Sequence, residues 1–393
     1  MKVLITTDLF TTATNGVVTS VKNLYEELVG KGHEVRILTF SENKTSYKKG
    51  PAYFIASRPF NVYPDVRCPS KYHHPFVKEL IEWKPDVIHS QCEFFSFQFA
   101  KKISKKAKAP IVHTYHTLYE QYVTYVIPFK RIGKRLVKSA SRWRLKRVDT
   151  IIAPTKKVEN TLKFYRIKNK ICVIPSGISL QQHKSRLTSE ERTAKRAALG
   201  ISDSRFALIN LGRLGTEKNL EELLGFFVTA SAKNDKLVFL IVGDGPDKQA
   251  LETLAENLQI KDKVIFTGMV TPAEVQNYYQ LGDLFVGAST SETQGLTYVE
   301  AAANGLPLLC RKDPCLQDIL KAGENGFEYT TEEEFHRYLD DILKNPDWVV
   351  KAKSASERAS EAFDKRNFGN AVEKVYLDAI ASKNQPKKQR KNK

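Results

Sequence analysis

Residues 206–242 read FALINLGRLGTEKNLEELLGFFVTASAKNDKLVFLIV, which is one full repeat of an alternation of apolar runs and amphipathic segments. The apolar runs 206–211 and 238–242 predict strands, and the amphipathic stretch 220–232 between them predicts a helix. A strand, a crossover helix and a second strand make the unit from which parallel sheets are built. The stretch therefore predicts a parallel α/β sheet.

The same alternation extends in both directions from this repeat. Downstream strands are predicted at 264–266, 284–287 and 307–310, with helices at 247–258, 272–280 and 296–304. Upstream strands are predicted at 3–7, 34–40, 87–89, 111–114, 150–153 and 171–174, with a helix at 17–31. The alternation breaks at 179–203, where the chain is polar and charged. We expect two doubly wound α/β domains, 1–180 and 181–366, followed by a helix at 367–382 and a basic, disordered tail at 383–393.

Composition limits the class of protein. The 393 residues are 41% hydrophobic and 27% charged, which is typical of globular chains of two or three domains. Five scattered cysteines do not form the framework of a disulfide-rich secreted protein, and no long apolar run predicts a membrane-spanning helix. The start of the chain does not resemble a signal peptide, so a cytoplasmic location is expected.

The positive charge is concentrated in the first half of the chain. Residues 1–180 contain 32 Lys and Arg against 13 Asp and Glu, a net charge of +19, whereas the remaining residues have a net charge of −1. This asymmetry indicates an anionic partner for the first half: nucleic acid, an anionic membrane or an acidic substrate.

Ligands of open α/β sheets bind at the carboxyl ends of the strands, so the loops there are the candidate sites. Residues 291–301 read SETQGLTYVEA and place Glu292 in such a loop and Glu300 in the next helix. The intervening Gly295-Leu296-Thr297 would begin that helix and offer backbone N–H groups to a phosphate. Glu300, one turn further on, could accept hydrogen bonds from a ribose diol.

Three other loops carry weaker signals. Residues 212–219, GRLGTEKN, place the cations Arg213 and Lys218 where both could bind a diphosphate. Asp8 and Asn15-Gly16 follow the first strand, and a glycine that begins a helix allows a phosphate to approach closely. Residues 113–122, HTYHTLYEQY, combine histidines and tyrosines in a way that suits a sugar better than zinc.

Together these four stretches resemble the retaining, nucleotide-sugar-dependent glycosyltransferases of family 4, which have the GT-B fold of two Rossmann-like domains facing each other across a cleft. Glu292 and Glu300, the Arg213…Lys218-Asn219 loop, and the stretches VGDGP at 242–246 and IPSGI at 174–178 occur in the order typical of that family. The resemblance covers nearly the whole chain.

The resemblance implies a role for each matched residue. Glu292 would contact the transferred sugar, His116 would lie near the sugar or the departing bond, and Glu300 would bind the ribose. The catalytic residues implied are Glu292, His116, Arg213, Lys218 and Asp8. The donor-binding residues implied are Gly16, Arg213, Lys218, Gly295, Leu296, Thr297 and Glu300. No Asp-x-Asp metal motif occurs, so no cofactor or metal is expected to be required, and a divalent ion would at most stimulate.

Within the family, residues 86–94, DVIHSQCEF, and 113–120 are most similar to the bacterial diacylglycerol glucosyltransferases. This resemblance implies UDP-glucose as the donor, a lipid such as diacylglycerol as the acceptor, and a peripheral location on the inner face of the cell membrane. Front-face transfer, in which the leaving phosphate takes the acceptor proton, is the implied mechanism.

Residues 129–149 favour the membrane independently of that resemblance. They contain nine cations and one acid, with Ile132, Leu136, Ala140 and Trp143 at helical spacing. A basic helix with one apolar stripe is typical of binding at the surface of anionic membranes. The residues predicted to bind the membrane are Lys130, Arg131, Lys134, Arg135, Lys138, Arg142 and Trp143.

Several alternatives remain open from the sequence. The apolar stripe of 129–149 could instead pack inside its own domain. A nucleic-acid partner fits the charge but lacks a recognised binding module. The acceptor could be soluble, polyprenyl-linked or a glycan, and the protein could bind a nucleotide sugar without catalysis or act as an epimerase. The sequence does not fix the base or the sugar of the donor.

Overall fold

The computed structural model describes residues 1–10, 16–60, 67–118, 120 and 130–385, without the side chains of 130–132. The chain forms two compact α/β units. The first contains Met1–Gly177 together with the chain from Lys365 onward, and the second contains Ile178–Asp364. The predicted domain boundaries at 180 and 366 lie close to these divisions, but the predicted last helix belongs to the first unit.

The first unit is built on a sheet that, in the described residues, has nine strands. They are β1 (Lys2–Thr6), β2 (Glu34–Ser41), β3 (Tyr47–Lys49), β4 (Ala52–Pro59), β5 (Arg67–Pro69), β6 (Val87–Ser90), β7 (Ile111–Thr114), β8 (Thr150–Ala153) and β9 (Lys170–Val173). The main path runs β3-β4-β2-β1-β6-β7-β8-β9, and β5 pairs with β4. All pairs are parallel except those of β3 and β5 with β4, so β1, β6 and β7 end at one edge.

Five described helices accompany this sheet before the chain enters the second unit. They are α1 (Gly16–Gly30), α2 (Pro75–Glu82), α3 (Phe95–Ala107), α4 (Lys130–Leu145) and α5 (Lys156–Phe164). Two clusters of buried apolar side chains pack against this sheet. Its parallel strands are therefore covered on both faces, as parallel strands usually are.

The second unit repeats the arrangement with six parallel strands in the order β12-β11-β10-β13-β14-β15. The strands are β10 (Phe206–Leu211), β11 (Leu237–Val242), β12 (Val264–Phe266), β13 (Leu284–Gly287), β14 (Leu308–Arg311) and β15 (Gly326–Tyr329). The helices are α6 (Leu180–His183), α7 (Ser189–Ala198), α8 (Leu220–Lys233), α9 (Lys248–Asn257), α10 (Val275–Leu281), α11 (Leu296–Ala303), α12 (Glu332–Lys344) and α13 (Pro346–Ser360).

The last described helix, α14 (Lys365–Asn384), returns to the first unit. Val372 and Tyr376 on α14 are fully buried in the same apolar core as Val3 and Ile5 of β1. Lys383 Nζ lies 3.2 Å from each carboxylate oxygen of Asp149, which secures the end of the helix. Residues 383 and 384 belong to this helix. The sequence instead predicts a disordered tail that begins at 383. The rest of that tail, 386–393, lies outside the described residues.

Candidate active site

Two loops of the second unit meet at the carboxyl edge of its sheet. One follows β10 and carries Lys218 in the short 3-10 turn Thr216–Lys218, and the other follows β13 and carries Glu292. Because β10 and β13 are neighbouring parallel strands, both loops leave the sheet at the same edge. Lys218 Nζ lies 2.5 Å from Glu292 Oε1. The fold thus brings together a cation and an acid that the sequence predicts as site residues.

This ion pair is largely withdrawn from solvent, since the side chains of Lys218 and Glu292 are only 20% and 17% exposed. Burial by itself would lower the pKa of Lys218, but the charge of Glu292 and its hydrogen bond outweigh burial and raise that pKa above its ordinary value. Lys218 is therefore a full positive charge at neutral pH, available to an anion that reaches this edge.

Arg213 lies in the same loop and is more accessible, with 38% of its side chain exposed. Its NH1 is 3.5 Å from Glu217 Oε1, a loose ion pair. The Ser289 hydroxyl, in the loop after β13, donates a hydrogen bond of 2.9 Å to the Glu217 carbonyl and ties the two loops together. Arg213 thus has room to turn toward an anion while its loop stays fixed.

Gly295 sets the start of α11. Its φ of +72° lies in the left-handed region, and a Cβ there would lie 2.4 Å from Cδ2 of Tyr298. Glycine alone fits without strain. Leu296 and Thr297 follow as the first two residues of α11, where backbone N–H groups lack the carbonyl partner of a preceding helical turn. The predicted phosphate-binding residues are therefore placed at a helix N-terminus.

Glu300 lies one turn further along α11 and is half-buried against α10. The Tyr279 hydroxyl donates a hydrogen bond of 2.9 Å to Glu300 Oε2. Burial raises the pKa of Glu300 to about 7, although the Tyr279 hydrogen bond and the charge of Lys218 both lower it. Glu300 thus titrates near neutral pH, and its charge is coupled to the Lys218 side of the site.

A third ion cluster at this edge was not predicted as part of the site. Arg311 NH1, at the end of β14, lies 2.8 and 2.9 Å from the two oxygens of Glu222 on α8. Asn219, next to Lys218, donates a 2.9 Å hydrogen bond to the same carboxylate. The cluster fixes the end of the Lys218 loop. Arg311 ends its strand and Glu222 lies in the first turn of a helix, but nothing in the local sequence indicates that they meet.

In the first unit, Asp8 follows β1 and is only 3% exposed. The Ser96 N–H, at the start of α3, donates a 2.7 Å hydrogen bond to Asp8 Oδ1, while Oδ2 is buried and has no hydrogen-bond partner in the described part of the chain. Burial raises the pKa of Asp8 from 3.8 to about 6, against the opposing effect of the Ser96 N–H. Asp8 is therefore a buried carboxyl group with one oxygen that no described group satisfies.

His116, which follows β7, lies at the end of a chain of hydrogen bonds. Its Nε2 is 2.7 Å from Gln91 Oε1, and Gln91 Nε2 is 3.2 Å from His89 Nδ1. The Tyr376 hydroxyl of α14 lies 2.6 Å from the same Nδ1. Nδ1 therefore accepts, and His89 Nε2 donates to the Thr114 hydroxyl at 2.7 Å. This chain fixes the position of the Gln91 amide that holds His116.

Burial lowers the pKa of His116 to about 3, so the imidazole is neutral near neutral pH. It can donate and accept hydrogen bonds but does not carry charge to the site. His89, Gln91 and Tyr376 were not predicted as site residues. His89 and Gln91 lie at and after the end of β6, where ligand-binding groups are expected, whereas Tyr376 has no local signal.

Helix α4 was predicted to carry the membrane-binding residues. Its Gly133, Ser141 and Leu145 are buried, so this narrow face packs against the unit. Trp143 and Leu136, from the predicted apolar stripe, are instead 69% and 53% exposed. The alternative in which the stripe packs inside its own domain therefore fails for these two side chains.

Most of the predicted membrane-binding cations that the structure describes on α4 are also exposed. Lys134, Arg135 and Arg142 are exposed, and Lys138 is half-buried with its Nζ 4.4 Å from the ring centre of Phe164. The side chains of Lys130 and Arg131 lie outside the described part. No described helix has the length and apolar character needed to span a bilayer.

Two other predictions are only partly covered by the structure. Gly16 is the exposed first residue of α1, whereas Asn15 lies outside the described residues. Within the described ranges, no three His, Cys, Asp or Glu residues are grouped so as to hold a metal ion. That the reaction requires no metal stays a prediction.

Comparisons with known proteins extend over both units. The family described as "Glycosyltransferase Family 4" matches residues 14–182, and that described as "Glycosyl transferases group 1" matches residues 191–362. The chain is 35% identical over 387 residues to an alpha-monoglucosyldiacylglycerol synthase of Streptococcus pneumoniae, covering 98% of this chain and 87% of that protein. A protein of the same name from Acholeplasma laidlawii is 32% identical over 396 residues, covering 98% of each.

Solved structures share the fold at much lower sequence identity. Anabaena HepE in complex with UDP-glucose superposes with a TM-score of 0.75 at 16% identity, covering 96% of this chain and all of that one. The sucrose-phosphate synthase of Thermosynechococcus elongatus gives a TM-score of 0.77 at 19% identity, covering 97% and 99% of the two chains. The tandem α/β architecture of this chain is therefore shared across its whole length.

Proposed function

This chain belongs to glycosyltransferase family 4 and has the GT-B fold, and from that premise we propose that it transfers glucose from UDP-glucose to diacylglycerol with retention of configuration. The observation that carries the proposal is the pairing of Lys218 with Glu292, 2.5 Å apart at the carboxyl edge of the second sheet. The names of the relatives in Streptococcus pneumoniae and Acholeplasma laidlawii support the sugar and the acceptor.

The donor is bound by the second unit. Arg213 and Lys218 bind the diphosphate, because both cations belong to one strand-end loop and Lys218 remains charged when buried. The start of α11 at Gly295 offers backbone N–H groups to the same phosphates. Glu300 accepts hydrogen bonds from the ribose hydroxyls when it is ionised. Glu292 contacts hydroxyls of the glucose.

In the reaction, the hydroxyl oxygen of the acceptor forms a bond to C1 of glucose while the bond from C1 to the diphosphate oxygen breaks. The hydroxyl proton passes to the leaving phosphate, so the products are the glucoside and UDP. Negative charge grows on the diphosphate as the bond breaks. Lys218 and Arg213 stabilise that charge, which is the largest electrostatic contribution that this chain offers. Positioning of the two reactants supplies the rest.

Asp8 and His116 of the first unit act on the acceptor side. His116 is neutral near neutral pH, so it contributes hydrogen bonds to hydroxyl groups rather than charge. Asp8 Oδ2 is buried with no described hydrogen-bond partner and can accept a hydrogen bond from a ligand hydroxyl. Both roles are proposed from these local environments.

The enzyme works at the inner surface of the cell membrane, held there by α4. The exposed Trp143 and Leu136 can enter the interface, and Lys134, Arg135 and Arg142 lie on the same helix. Each cation close to an anionic surface contributes about 1 kcal/mol to binding. The net charge of +19 on residues 1–180 adds long-range attraction.

The direct test is a transfer assay with the full chain, UDP-glucose and diacylglycerol in anionic vesicles, followed by NMR of the product. We expect an α-linked glucosyl diacylglycerol. GDP-glucose serves as the competing donor, and the Glu292→Ala variant serves as the inactive control. A β-linked product would refute retention. Transfer only to a soluble, polyprenyl-linked or glycan acceptor would refute the lipid assignment, and binding of UDP-glucose without any transfer would indicate a non-catalytic protein.

A further inference from the structure

The first unit contains a cavity that no part of the proposed donor site uses. Its volume is about 500 Å³, and it is open on one side. Its walls are mainly aromatic, with one phenol hydroxyl, one amide and one guanidinium. The lining residues are Phe60, Tyr72, Phe94, Phe95, Gln98 and Arg144.

The aromatic walls are held in place by their own packing. The rings of Phe60 and Phe95 meet edge to face, with centroids 5.2 Å apart, and Tyr72 stacks on Phe99 at 5.3 Å. Arg144 NH1 donates a 2.6 Å hydrogen bond to the Glu93 carbonyl, which fixes the guanidinium at the wall. A preformed cavity with so few polar groups suits a hydrocarbon better than a sugar, which needs many hydrogen-bond partners.

One residue of the cavity wall is next in the chain to a residue that contacts Asp8. Phe95 directly precedes Ser96, whose N–H donates to Asp8 Oδ1 at 2.7 Å. Burial raises the pKa of Tyr72, another residue of the wall, and the charges of Cys68 and Asp8 add to that effect. A ligand whose hydroxyl group bonds to the buried Oδ2 of Asp8 would extend its remaining atoms along this cavity.

The cavity also adjoins the helix proposed to bind the membrane. Arg144 of its wall belongs to α4 and directly follows the exposed Trp143. Lys101 Nζ, on α3, lies 5.3 Å from the Trp143 ring and 5.0 Å from the ring of Phe97, so α3 and α4 are in contact here. The exposed Trp143 and the cavity wall at Arg144 are therefore neighbours on α4.

We propose that this cavity binds one acyl chain of the lipid acceptor, so that the hydroxyl group of the glycerol is presented at Asp8. This inference rests on the proposed function and names the acceptor subsite of that function. Each methylene group that the cavity removes from water contributes about 0.8 kcal/mol, so a short segment of chain suffices to orient a neutral lipid. Diacylglycerol has no charge, and the apolar wall supplies the recognition that ionic groups cannot.

The test uses a diacylglycerol with a diazirine in one acyl chain, presented to the full-length protein in neutral detergent micelles. After irradiation, the labelled peptides are mapped. We expect the label on residues 94–98 or on Tyr72. The Gln98→Trp variant fills the cavity from α3 and should reduce this labelling at least fivefold. The matched control, Lys105→Trp, adds the same ring at an exposed position of α3 and should leave the labelling within twofold.

Labelling elsewhere in the protein, or equal labelling of both variants that keep the wild-type melting temperature, would overturn the cavity assignment. Transfer of glucose is measured in parallel with dioctanoylglycerol and with free glycerol. In Gln98→Trp we expect the KM for dioctanoylglycerol to rise about tenfold and transfer to glycerol to stay unchanged. Equal loss for both acceptors would refute the acyl subsite. Specific labelling in a wild-type protein that glucosylates no glycerolipid would refute the proposed function alone.

Discussion

The Tyr376 hydroxyl lies 2.6 Å from Nδ1 of His89, although the two residues are 287 positions apart in the chain. Both side chains are fully buried. This hydrogen bond joins α14 to the end of β6, and Gln91 continues the connection to His116. A helix at the far end of the chain therefore helps to set the geometry of the candidate active site.

Replacing Tyr376 by Phe removes this hydrogen bond without changing the shape of the core. We expect the free energy of unfolding to fall by about 1 kcal/mol, as for a single buried hydrogen bond. We also expect kcat to fall severalfold with the donor KM unchanged, because Gln91 and His116 lose a fixed neighbour. Denaturant titration and steady-state kinetics check the two effects. Tyr165→Phe, which breaks a 2.8 Å hydrogen bond to Glu120 in the same unit, is the control. Equal losses of kcat in both variants would mean that Tyr376 acts only on stability.

Lys218 and Arg213, the two cations of the loop after β10, should differ in how much their removal changes the free energy of unfolding. Lys218→Ala and Arg213→Ala each should weaken transition-state stabilisation by about 2–4 kcal/mol, measured as kcat/KM. Lys218→Ala should also lower the free energy of unfolding by about 1–3 kcal/mol, because Glu292 loses its buried partner. Arg213 is more exposed, and its loss should change stability by less than about 0.5 kcal/mol. Turnover within threefold of wild type in either variant would contradict the donor-site assignment.

Binding of the donor should depend on pH through Glu300, whose pKa is raised to about 7 by burial. Protonation removes acceptor capacity toward the ribose hydroxyls, so the donor KM should rise as pH falls from 8 to 6. In Glu300→Gln the KM should be raised at every pH, and this pH dependence should disappear, with kcat little changed. Glu292→Ala should instead lower kcat, because Glu292 contacts the reacting sugar. A pH dependence that survives in Glu300→Gln would assign it to another group.

The ionised carboxylate of Asp8 should lower the free energy of unfolding at high pH. Its pKa in the folded protein, about 6, lies above its ordinary value of 3.8, so the folded state binds this proton more tightly than the unfolded state does. The resulting stability is complete below pH 3.8 and is lost as pH rises through 6. Relative to wild type, Asp8→Asn should therefore gain up to about 3 kcal/mol at pH 8 and almost nothing at pH 3. Thermal unfolding across this range checks the sign, and a constant difference would refute the buried-charge explanation.

Replacing Lys134, Arg135, Lys138 and Arg142 of α4 by Gln should reduce co-sedimentation with anionic vesicles and leave UDP-glucose binding intact. Binding of the wild type should weaken with salt, because the Debye length falls from about 10 Å at 0.1 M to about 3 Å at 1 M. Trp143 and Leu136 should supply a salt-resistant remainder.

The control for this vesicle experiment makes the same change of charge at exposed lysines of the second unit, namely Lys195, Lys321, Lys351 and Lys353. This control should bind the vesicles as the wild type does. Equal losses in the two quadruple variants would show that net charge alone matters, and equal binding to neutral and anionic vesicles would contradict electrostatic attachment.

The sequence predicts the elements of this fold well where short apolar runs are followed by helical periodicity, as at β10, β12 and β13. It misses β4, the short polar strands β3 and β5 that pair with it, and β15, which comes after the last predicted strand. It places Lys218 and Glu292 in strand-end loops because parallel strands end at one edge. Their pairing depends on β10 and β13 being neighbours in the sheet. The order of strands in a sheet cannot be predicted from local sequence.

The contacts that the sequence does not predict join residues that are distant in sequence. Tyr376 lies on a helix that was predicted, but its contact with His89 requires that α14 return to the first unit. The aromatic cavity likewise combines side chains that follow β4, β5 and β6 with Arg144 of α4. Such contacts depend on how helices and strands pack together, and neither the periodicity nor the composition of the sequence specifies that packing.

The return of α14 sets an order of events for the newly made polypeptide. Residues 178–364 are contiguous, so the second unit can reach its native state as soon as they have left the ribosome. The first unit is synthesised earlier, yet its core lacks Phe368, Val372 and Tyr376 until translation has passed α14. The half of the protein that emerges first is therefore completed last, and until then the surface that α14 will cover remains available to chaperones.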